Sequence, residues 1–424
     1  MRRAYRTMRT ALPGVELCYA VKANPHPDVL ALLVAEGASF DLASVGELDL
    51  CLLAGAAPTV LSWGNPVKKV SDVRAARAAG VTRFTTDAPA DVDLLAREAP
   101  GATVGVRLAV GDDGAATPFA GKFGATEDEA VALLERARDG GLDAAGIGFH
   151  VGSQQRDPQA WVRAIEAAGR VAARLGDHAP RELNLGGGFP TTHAGGPTPD
   201  LDACADAIRA ALAAHAPRWR PRAFAEPGRA LVADAGVLRS EVVLVAERAG
   251  RRWVYLDVGR YQGLAETEGE MIVYRLRTPG RCGETGRVVL AGPTCDGDDV
   301  LYRHADVRLP LDLAPGDVVE FLGAGAYTSS YASVGFNGLP PPPTYVHDHI
   351  DTQEEGGIDD HEHDPVHDPG DGAHDGTRDR PDDSADDSAD DRDRRRARLG
   401  ARDSARDSAR DSARDGARGP AHGG

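Results

Sequence analysis

The chain is poor in cysteine and has no long run of apolar residues. Its five cysteines never stand in a Cys-x-x-Cys arrangement, and they are Cys18, Cys51, Cys204, Cys282 and Cys295. Such scattered thiols argue against a zinc site and against a disulfide framework, so we expect no metal and a reducing, cytoplasmic setting. No apolar run reaches the roughly 18–20 residues of a membrane span, and the basic start of the chain lacks the apolar centre of a signal peptide. We therefore expect no membrane partner.

Apolar residues almost disappear from about His347 onward. The chain there consists of His/Asp clusters, then Ser-Ala-Asp-Asp repeats, then Arg-Asp-Ser-Ala repeats. Such a segment cannot bury enough surface to offset its ordering entropy, so a disordered acidic tail is predicted over residues 346–424. Its histidines are irregularly spaced, which favours a solvated tail over a metal-binding segment.

The negative charge of the chain belongs mostly to this tail. Residues 347–424 hold 23 Asp and Glu against 12 Lys and Arg, a net charge of −11. Since the whole chain carries −17, the first 346 residues carry −17 + 11 = −6. This balance gives no sign of a nucleic-acid partner, and we expect none.

Short apolar strands alternate with alanine-rich helical stretches over the first part of the chain. Eight strands are predicted, at residues 17–22, 39–43, 59–62, 83–86, 103–108, 146–150, 182–185 and 222–225. Seven helices are predicted between them, at residues 27–36, 45–54, 69–79, 88–98, 127–140, 158–175 and 201–214. This count predicts an α/β fold, a (β/α)₈ TIM-like barrel over residues 1–233 with its eighth helix displaced. A doubly wound open sheet is the alternative.

The pattern changes after Arg229. Runs of strand length at residues 236–247, 252–257, 270–276, 287–291 and 317–322 alternate or are apolar, with Gly and Pro between them and little helical periodicity. They predict a C-terminal all-β domain over residues 234–345.

Polar residues and glycines stand at or near the ends of the predicted barrel strands. In chain order they are Lys22, Asp41, Ser44, Asn65, Asp87, Arg107, His150, Gly186–Gly188 and Glu226. Strand ends of a closed barrel converge on one face, and that face hosts the active site. Lys22 alone reads as a surface charge, but this convergence favours a Schiff-base lysine, an amine that condenses with a carbonyl.

Two of these strand ends suit a phosphate. The triple glycine lets backbone N–H groups approach an anion, although a flexible loop explains it as well. Glu226-Pro227-Gly228-Arg229 ends the neighbouring strand, where barrel enzymes often hold phosphate. A lysine, a carboxylate and a phosphate site around one pocket suit pyridoxal 5'-phosphate, with its aldehyde on Lys22 and its ring nitrogen on Glu226.

Six motifs in order resemble the fold-type III, alanine-racemase-like decarboxylases, most of all ornithine decarboxylase and the bacterial lysine/ornithine decarboxylases. They are Tyr19-Ala20-Val21-Lys22-Ala23-Asn24-Pro25, His150-Val151-Gly152-Ser153, Gly186-Gly187-Gly188-Phe189-Pro190, Glu226-Pro227-Gly228-Arg229, Gly292-Pro293-Thr294-Cys295-Asp296, and Tyr327-Thr328 with Phe336-Asn337-Gly338. The resemblance covers about residues 10–345.

The resemblance implies a role for each matched residue. Lys22 would bind the cofactor covalently, His150 would stack on its ring, and Glu226 would pair with the ring nitrogen. Asp41 and Arg107 would support the lysine and the ring. The remaining cofactor-binding positions would be Ser153, Gly187, Gly188, Pro227, Gly228, Arg229 and Tyr327.

It also implies how the substrate is handled. Cys295 would deliver a proton to the α-carbon, Asp296 would bind the distal ammonium of the amino-acid substrate, and Phe336 would line the substrate pocket. In the family the equivalents of Cys295 and Asp296 come from the partner subunit. The resemblance therefore implies a homodimer with shared active sites, in which Lys122 and Asp299 match positions that pair across the interface.

Relatives usually begin with a further strand and helix segment, so we expect the start of the coding sequence to lie upstream. Glu266 is a further candidate for the substrate pocket, without an assigned role.

The function implied is decarboxylation of L-ornithine to putrescine, a step of polyamine biosynthesis. Lysine is the second choice, because one methylene changes discrimination by only about 1 kcal/mol. Diaminopimelate decarboxylases typically carry Cys-Glu-Ser where this chain has Cys295-Asp296-Gly297. A catalytically inactive regulatory homologue would share the same fold, and so would a racemase, which would use a tyrosine of the β domain as its second base.

Overall fold

The computed structural model describes residues 1–111, 113–117, 121–194, 196, 200–215 and 217–347. The predicted acidic tail lies outside the described residues, apart from its first two positions. Within the described part of the chain, no helix is long and apolar enough to cross a bilayer.

The described residues form the following strands and helices. The strands are β1 (Glu16–Ala20), β2 (Ser39–Leu42), β3 (Leu61–Trp63), β4 (Arg83–Thr86), β5 (Thr103–Arg107), β6 (Ala115–Thr117), β7 (Asp143–Gly148), β8 (Ser153–Gln155), β9 (Glu182–Asn184), β10 (Arg222–Ala225), β11 (Val237–Arg248), β12 (Arg251–Leu256), β13 (Arg275–Arg277), β14 (Thr285–Arg287), β15 (Val289–Ala291), β16 (Val300–Tyr302), β17 (Arg308–Pro310) and β18 (Val318–Leu322). The α-helices are α1 (Arg2–Ala11), α2 (Pro27–Ala35), α3 (Val45–Leu53), α4 (Val70–Ala78), α5 (Pro89–Glu98), α6 (Glu127–Asp139), α7 (Gln159–Leu175), α8 (Leu201–His215) and α9 (Arg229–Val232).

Eight parallel strands close into a barrel in the order β1-β10-β9-β7-β5-β4-β3-β2. Closure is set by β1, which pairs with β2 on one side and with β10 on the other. The predicted (β/α)₈ barrel is confirmed, and the open-sheet alternative is wrong. The eighth helix is reduced to the four residues of α9, directly after β10.

The barrel elements follow from their sequences. Strand β2 is buried at all four positions, as expected for a parallel strand covered on both faces. Helix α6 begins with a capping box, in which the Thr126 and Glu129 side chains each satisfy the other's backbone N–H. Helix α7 buries Trp161, Ile165 and Val171 along one face against the barrel. One hydrophobic core connects these elements with α1.

A second hydrophobic core lies in the C-terminal part of the chain, between Leu238 and Ala324. It is covered by a six-stranded sheet in the order β13-β18-β11-β12-β15-β16, in which the long strand β11 pairs antiparallel with both β12 and β18. This sheet confirms the predicted all-β character of the region. The division at residues 233 and 345 stays a prediction.

One predicted strand of this region, residues 270–276, was wrong over most of its length. Glu270 ends a 3₁₀ segment (Ala265–Glu270), and only Arg275 and Leu276 belong to a strand. The Glu270 carboxylate accepts hydrogen bonds from the backbone N–H groups of Arg303, His304 and Ala305. Glu270 therefore serves a turn rather than a strand.

Candidate active site

Lys22 lies just beyond the C-terminal end of β1, in the 3₁₀ turn Val21–Ala23. Its Nζ is 3.5 Å from Oδ2 of Asp41, which lies on β2 opposite Ala20. The Lys22 side chain is 51% exposed and that of Asp41 only 5%, so the amine faces the open mouth above a buried carboxylate. The buried surroundings of this half-exposed amine lower the pKa of Lys22, but the negative charge of Asp41, with smaller effects of Tyr327 and Glu226, outweighs them and raises the pKa.

The Asp41 carboxylate occupies space that is free because Gly64, directly after the neighbouring strand β3, has no side chain. A Cβ at Gly64 would lie 2.0 Å from Asp41 Oδ1, so only glycine fits there. That Oδ1 atom is buried and has no hydrogen-bond partner among the described residues. Burial raises the pKa of Asp41 against the attraction of Lys22.

Glu226 follows the C-terminal end of β10. Asn184 Nδ2, at the end of β9, donates a hydrogen bond of 2.6 Å to Glu226 Oε1. Burial and then the repulsion by Asp41 raise the pKa of Glu226 to about 7, against the attraction of Lys22. A cationic group placed against this carboxylate would favour its ionised form.

His150 is a neutral base at this mouth. It follows β7, and its Nδ1 accepts a hydrogen bond of 3.0 Å from the Gly152 N–H. In the neutral ring the proton is therefore on Nε2. Burial, then Arg107 and Lys22, lower the pKa of His150 to about 3. Arg107 ends β5 with its guanidinium 4.9 Å from the Phe123 ring centre.

One pocket lies among these strand ends, and its lining includes neither Lys22 nor Asp41. His150, Arg107, Glu226 and Asn184 line it together with residues of the barrel interior. The carboxyl ends of β5, β7, β9 and β10 thus meet at one cavity, as predicted for the face of a barrel that carries the site.

The glycine loop, Gly186–Gly188, packs directly against the ends of the neighbouring strands. Gly186 and Gly188 have φ of +66° and +91°, in the left-handed region that favours glycine. A Cβ at Gly186 would lie 2.1 Å from the carbonyl oxygen of Phe149, and one at Gly187 would lie 2.7 Å from that of Glu226. The backbone there is bare and close to the cavity. Ser153, half-buried at the start of β8, lies on the strand whose Gln155 N–H donates to Gly188 O.

Arg229 is buried and forms a bidentate ion pair with Glu266, which the sequence did not predict. Its Nη1 donates a 2.7 Å hydrogen bond to Glu266 Oε2, and its Nη2 donates to Oε1. The guanidinium lies 4.7 Å from the centre of the Tyr327 ring. Glu266 stands 37 residues from Arg229 in a stretch without a regular pattern, so only the folded arrangement of the chain could have revealed the contact.

Tyr327 and Gly228 tie this arginine to the Lys22 turn. The Tyr327 N–H donates to Ala23 O at 2.8 Å, and the Ala20 N–H donates to Pro227 O at 3.1 Å. A Cβ at Gly228 would lie 2.9 Å from the Ala23 Cβ and 3.2 Å from the Tyr327 hydroxyl. Pro227, Gly228, Arg229 and Tyr327 therefore form one wall beside the lysine.

Three of the polar strand-end residues support loops instead. The Ser44 hydroxyl caps α3 by accepting from the Glu47 N–H, and Asn65 Oδ1 accepts from the Val67 N–H. Asp87 Oδ2 accepts from the Gly124 N–H at 2.8 Å.

Cys295 lies apart from these residues, in the β sheet region, with four other side chains near it. We call them together the Cys295 group: Cys295, Asp296, Tyr261, Phe336 and Asn337. The exposed thiol is 3.4 Å from Asn337 Nδ2, and the Phe336 and Tyr261 ring centres are 4.5 Å apart. Partial desolvation and then the nearby Asp296 carboxylate raise the pKa of Tyr261. Among the described residues, Lys22 makes no hydrogen bond or ion pair with this group.

Asp299 shapes the loop that carries Cys295. It is 2% exposed, and its carboxylate accepts from the N–H and hydroxyl of Thr294 and from the Arg260 N–H. Both of its oxygens are therefore used within the chain. Its pairing with Lys122 across an interface stays a prediction.

The donor set at the barrel mouth fits pyridoxal 5'-phosphate. An amine, a buried carboxylate that titrates near neutrality and a neutral imidazole match the aldehyde, the ring nitrogen and the ring face. The bare backbone of the glycine loop and the buried Arg229 match the phosphate. Arg229 Nε is buried and has no hydrogen-bond partner in the described part of the chain, so this donor remains for an anion.

Comparisons with known proteins point to the same chemistry. Residues 1–233 match the family model of the pyridoxal-dependent decarboxylases, pyridoxal binding domain. The lysine/ornithine decarboxylase of Selenomonas ruminantium is 38% identical over 345 residues, 81% of this chain and 86% of that protein. The crystal structure of the Vibrio vulnificus lysine/ornithine decarboxylase complexed with cadaverine is 34% identical with a TM-score of 0.74, over 82% of this chain and 92% of that one. Antizyme inhibitor 2 of Xenopus laevis is 32% identical over 355 residues, 79% of this chain and 76% of that protein.

Proposed function

Because this chain belongs to the pyridoxal-dependent decarboxylases, we propose that it converts L-ornithine to putrescine. The resemblance found in the motifs is confirmed by the family match and by the relatives. The chain is a pyridoxal-phosphate-dependent carboxy-lyase of basic amino acids. Ornithine is the first choice of substrate and lysine the second.

The residues at the barrel mouth would hold the cofactor. Lys22 would bind it covalently through Nζ, Glu226 would pair with the ring nitrogen, and neutral His150 would stack on the ring, with Asp41 and Arg107 in support. The phosphate would be bound by Ser153, Gly187, Gly188, Gly228, Arg229 and Tyr327, beside Pro227. When bound, pyridoxal phosphate supplies an electron sink for the pair left on the α-carbon as carbon dioxide departs.

The protonation states of these residues suit that reaction. Ionised Glu226 would keep a proton on the ring nitrogen, since a carboxylate whose pKa is about 7 becomes a stable anion next to a cation. His150 stays neutral because its pKa is about 3, so it adds no positive charge beside the ring. The Lys22 amine, beside Asp41, accepts and returns protons at Nζ when the substrate amine takes its place.

The observation that carries the choice of a basic substrate is the acidic Cys295 group. Asp296 follows Cys295 in the chain and supplies a carboxylate that would bind the distal ammonium, while Cys295 would give a proton to the α-carbon. Phe336 packs beside it on Tyr261 and would line the aliphatic part of the substrate. Since Lys22 makes no hydrogen bond or ion pair with this group within the described chain, we propose a homodimer in which each site takes Lys22 from one subunit and Cys295 from the other.

A side-by-side assay of carbon dioxide release tests the substrate. Ornithine, lysine, arginine and meso-diaminopimelate would be compared at equal concentration with the cofactor-loaded protein. We expect ornithine to give the highest kcat/KM, followed by lysine. Diaminopimelate as the best substrate, or arginine as the best, would contradict the proposal.

The second candidate is an inactive regulatory homologue, and the similarity to antizyme inhibitor 2 supports it. The intact set of Lys22, His150, Glu226, Arg229 and Cys295 argues against it. We expect a yellow protein whose visible absorbance disappears in Lys22→Ala. A wild-type protein without bound cofactor and without carbon dioxide release from any of the four amino acids would favour the inactive homologue.

A further inference from the structure

Glu266 is an acidic side chain that is largely buried against Arg229, a proposed phosphate-binding residue. Its side chain is 15% exposed and that of Arg229 is 5% exposed. Both oxygens of Glu266 accept from the two terminal nitrogens of Arg229. This carboxylate has no role in the reaction proposed above.

The pairing leaves a defined edge of the guanidinium uncovered. A guanidinium presents five N–H donors in a fixed plane, two of which point along the Nη1–Nη2 edge. Glu266 occupies that edge, so the remaining donors lie on the sides of the plane, including Nε. Nε is buried and has no hydrogen-bond partner among the residues that the structure describes.

Both components of the ion pair are fixed. The guanidinium packs on the ring of Tyr327, 4.7 Å from its centre, which limits its movement on that side. The backbone of Glu266 is fixed by the Ile272 N–H, which donates to Glu266 O at 3.2 Å. Thr267 beside it is 1% exposed, and its hydroxyl donates to Leu264 O at 2.7 Å. Glu266 is thus a rigid partner rather than a side chain that moves away.

We propose that Glu266 is a positioning residue that holds Arg229 with its Nε edge toward the cofactor phosphate. The inference rests on the proposed function, because there Arg229 binds the phosphate. Two effects oppose each other. The negative charge of Glu266 weakens the attraction of Arg229 for an anion, whereas the fixed orientation of the guanidinium strengthens its bidentate hydrogen bonding to the phosphate. Orientation dominates, because a guanidinium grips phosphate well only when one edge faces it, and a fixed edge avoids the loss of rotamer freedom on binding.

The test compares two ligands of the cofactor-free full chain, pyridoxal phosphate and pyridoxal, which lacks the phosphate. In Glu266→Gln we expect pyridoxal phosphate to bind on the order of tenfold more weakly, and pyridoxal to bind within about twofold of wild type. Affinities come from titration of visible absorbance. Glu268→Gln is the matched control: it lies in the same segment, its side chain is 70% exposed, and it pairs with Arg260 instead. The control should keep both affinities.

A double-mutant cycle shows whether Glu266 acts through Arg229. Arg229→Ala removes the proposed phosphate contact, and in that background Glu266→Gln should change the affinity for pyridoxal phosphate no further. Thermal unfolding verifies that each variant is folded. If Glu266→Gln does not fold, Glu266→Asp keeps the charge but withdraws the carboxylate by one methylene, and the same selective loss is expected.

Several results would overturn the inference. One is an affinity for pyridoxal phosphate that stays the same or rises in Glu266→Gln, which would make Glu266 only a counter-charge. Another is an equal loss for both ligands, as a purely structural role would give. An additive effect in the cycle is the third. Failure of the proposed function looks different, because the wild-type protein itself would then bind no pyridoxal phosphate or would not prefer it to pyridoxal.

Discussion

Glu226 and His150 lie at the same cavity, yet burial drives them in opposite directions. Burial disfavours the charged form of each group, so it raises the pKa of the carboxyl and lowers that of the imidazole. The neighbours then add to both shifts, since Asp41 repels the Glu226 anion and Arg107 repels a charged His150. The cofactor-free protein therefore holds its carboxyl near the midpoint of titration at neutral pH.

This property predicts how Glu226→Gln changes stability with pH in the cofactor-free protein. The folded pKa of about 7 lies above the ordinary 4.5, so the folded state binds the proton more tightly than the unfolded state. The stability that this group contributes is present below about pH 4.5 and is lost as pH rises through 7, at a cost of up to roughly 3 kcal/mol. Glu226→Gln, which can still accept from Asn184, should lose less stability between pH 5 and 8 and be the more stable protein at pH 8.

Urea unfolding of the cofactor-free proteins at several pH values measures this difference. Glu268→Gln serves as the control, because it makes the same substitution at a side chain that is 70% exposed and lies away from the barrel mouth. Parallel curves of stability against pH for the wild type and Glu226→Gln would show that folding does not raise the pKa of Glu226.

Which site residues could be predicted depended on whether they belong to a local motif. Lys22, His150 and Glu226 stand at strand ends, where the barrel pattern alone directs them to one mouth. The sequence offered Glu266 only as a candidate for the substrate pocket, and its pairing with Arg229 could not be predicted because that contact exists only in the folded chain.

At the scale of elements, periodicity predicted the barrel well and the β sheet region less well. The first seven intervening helices, α2 to α8, each lie within one residue of the predicted bounds at either end. Long amphipathic helices provide many positions for that signal, whereas β16 and β17 have only three residues each and were missed. The strand expected at residues 270–276 failed because Glu270 holds the backbone of three residues in another loop.

The glycine loop gives a prediction for an element whose shape depends on the absence of side chains. In Gly186→Ala, the added Cβ would lie 2.1 Å from Phe149 O, and φ is +66°. Gly101 is the matched control, since its φ is +72° and a Cβ there would meet nothing within 4 Å. Gly101→Ala should cost about 1 kcal/mol for the backbone conformation alone, and Gly186→Ala roughly 2 kcal/mol more, because backbone must shift.

Denaturant unfolding of both variants checks this difference, and the bound cofactor provides a second measurement. Gly186→Ala should also bind pyridoxal phosphate more weakly, whereas Gly101→Ala should bind it normally. Equal losses of stability in the two variants would mean that the loop relaxes away from β7 at little cost.

At the scale of the whole molecule, the site proposed for catalysis is divided. The barrel mouth supplies Lys22, Glu226 and His150, and the Cys295 group lies on the β sheet region with an exposed thiol. No pattern in a single sequence predicts that two copies meet, because periodicity and strand ends describe one chain only. The expectation of a shared site came from the resemblance of the motifs.

Mixing two inactive variants tests that arrangement. If each site uses Lys22 of one subunit and Cys295 with Asp296 of the other, Lys22→Ala and Asp296→Ala destroy both sites of their own homodimers. In a mixed dimer, one site would combine both defects and the other would be intact. Random exchange makes half of the dimers mixed, so equal amounts should recover about a quarter of the wild-type activity.

A mixture of Lys22→Ala with Glu226→Ala is the control. Both defects lie at the barrel mouth, so every site of a mixed dimer keeps one of them, and no activity should return. Recovery in the control, or none in the first mixture once mass measurements show mixed dimers, would place Lys22 and Asp296 in the same subunit's site.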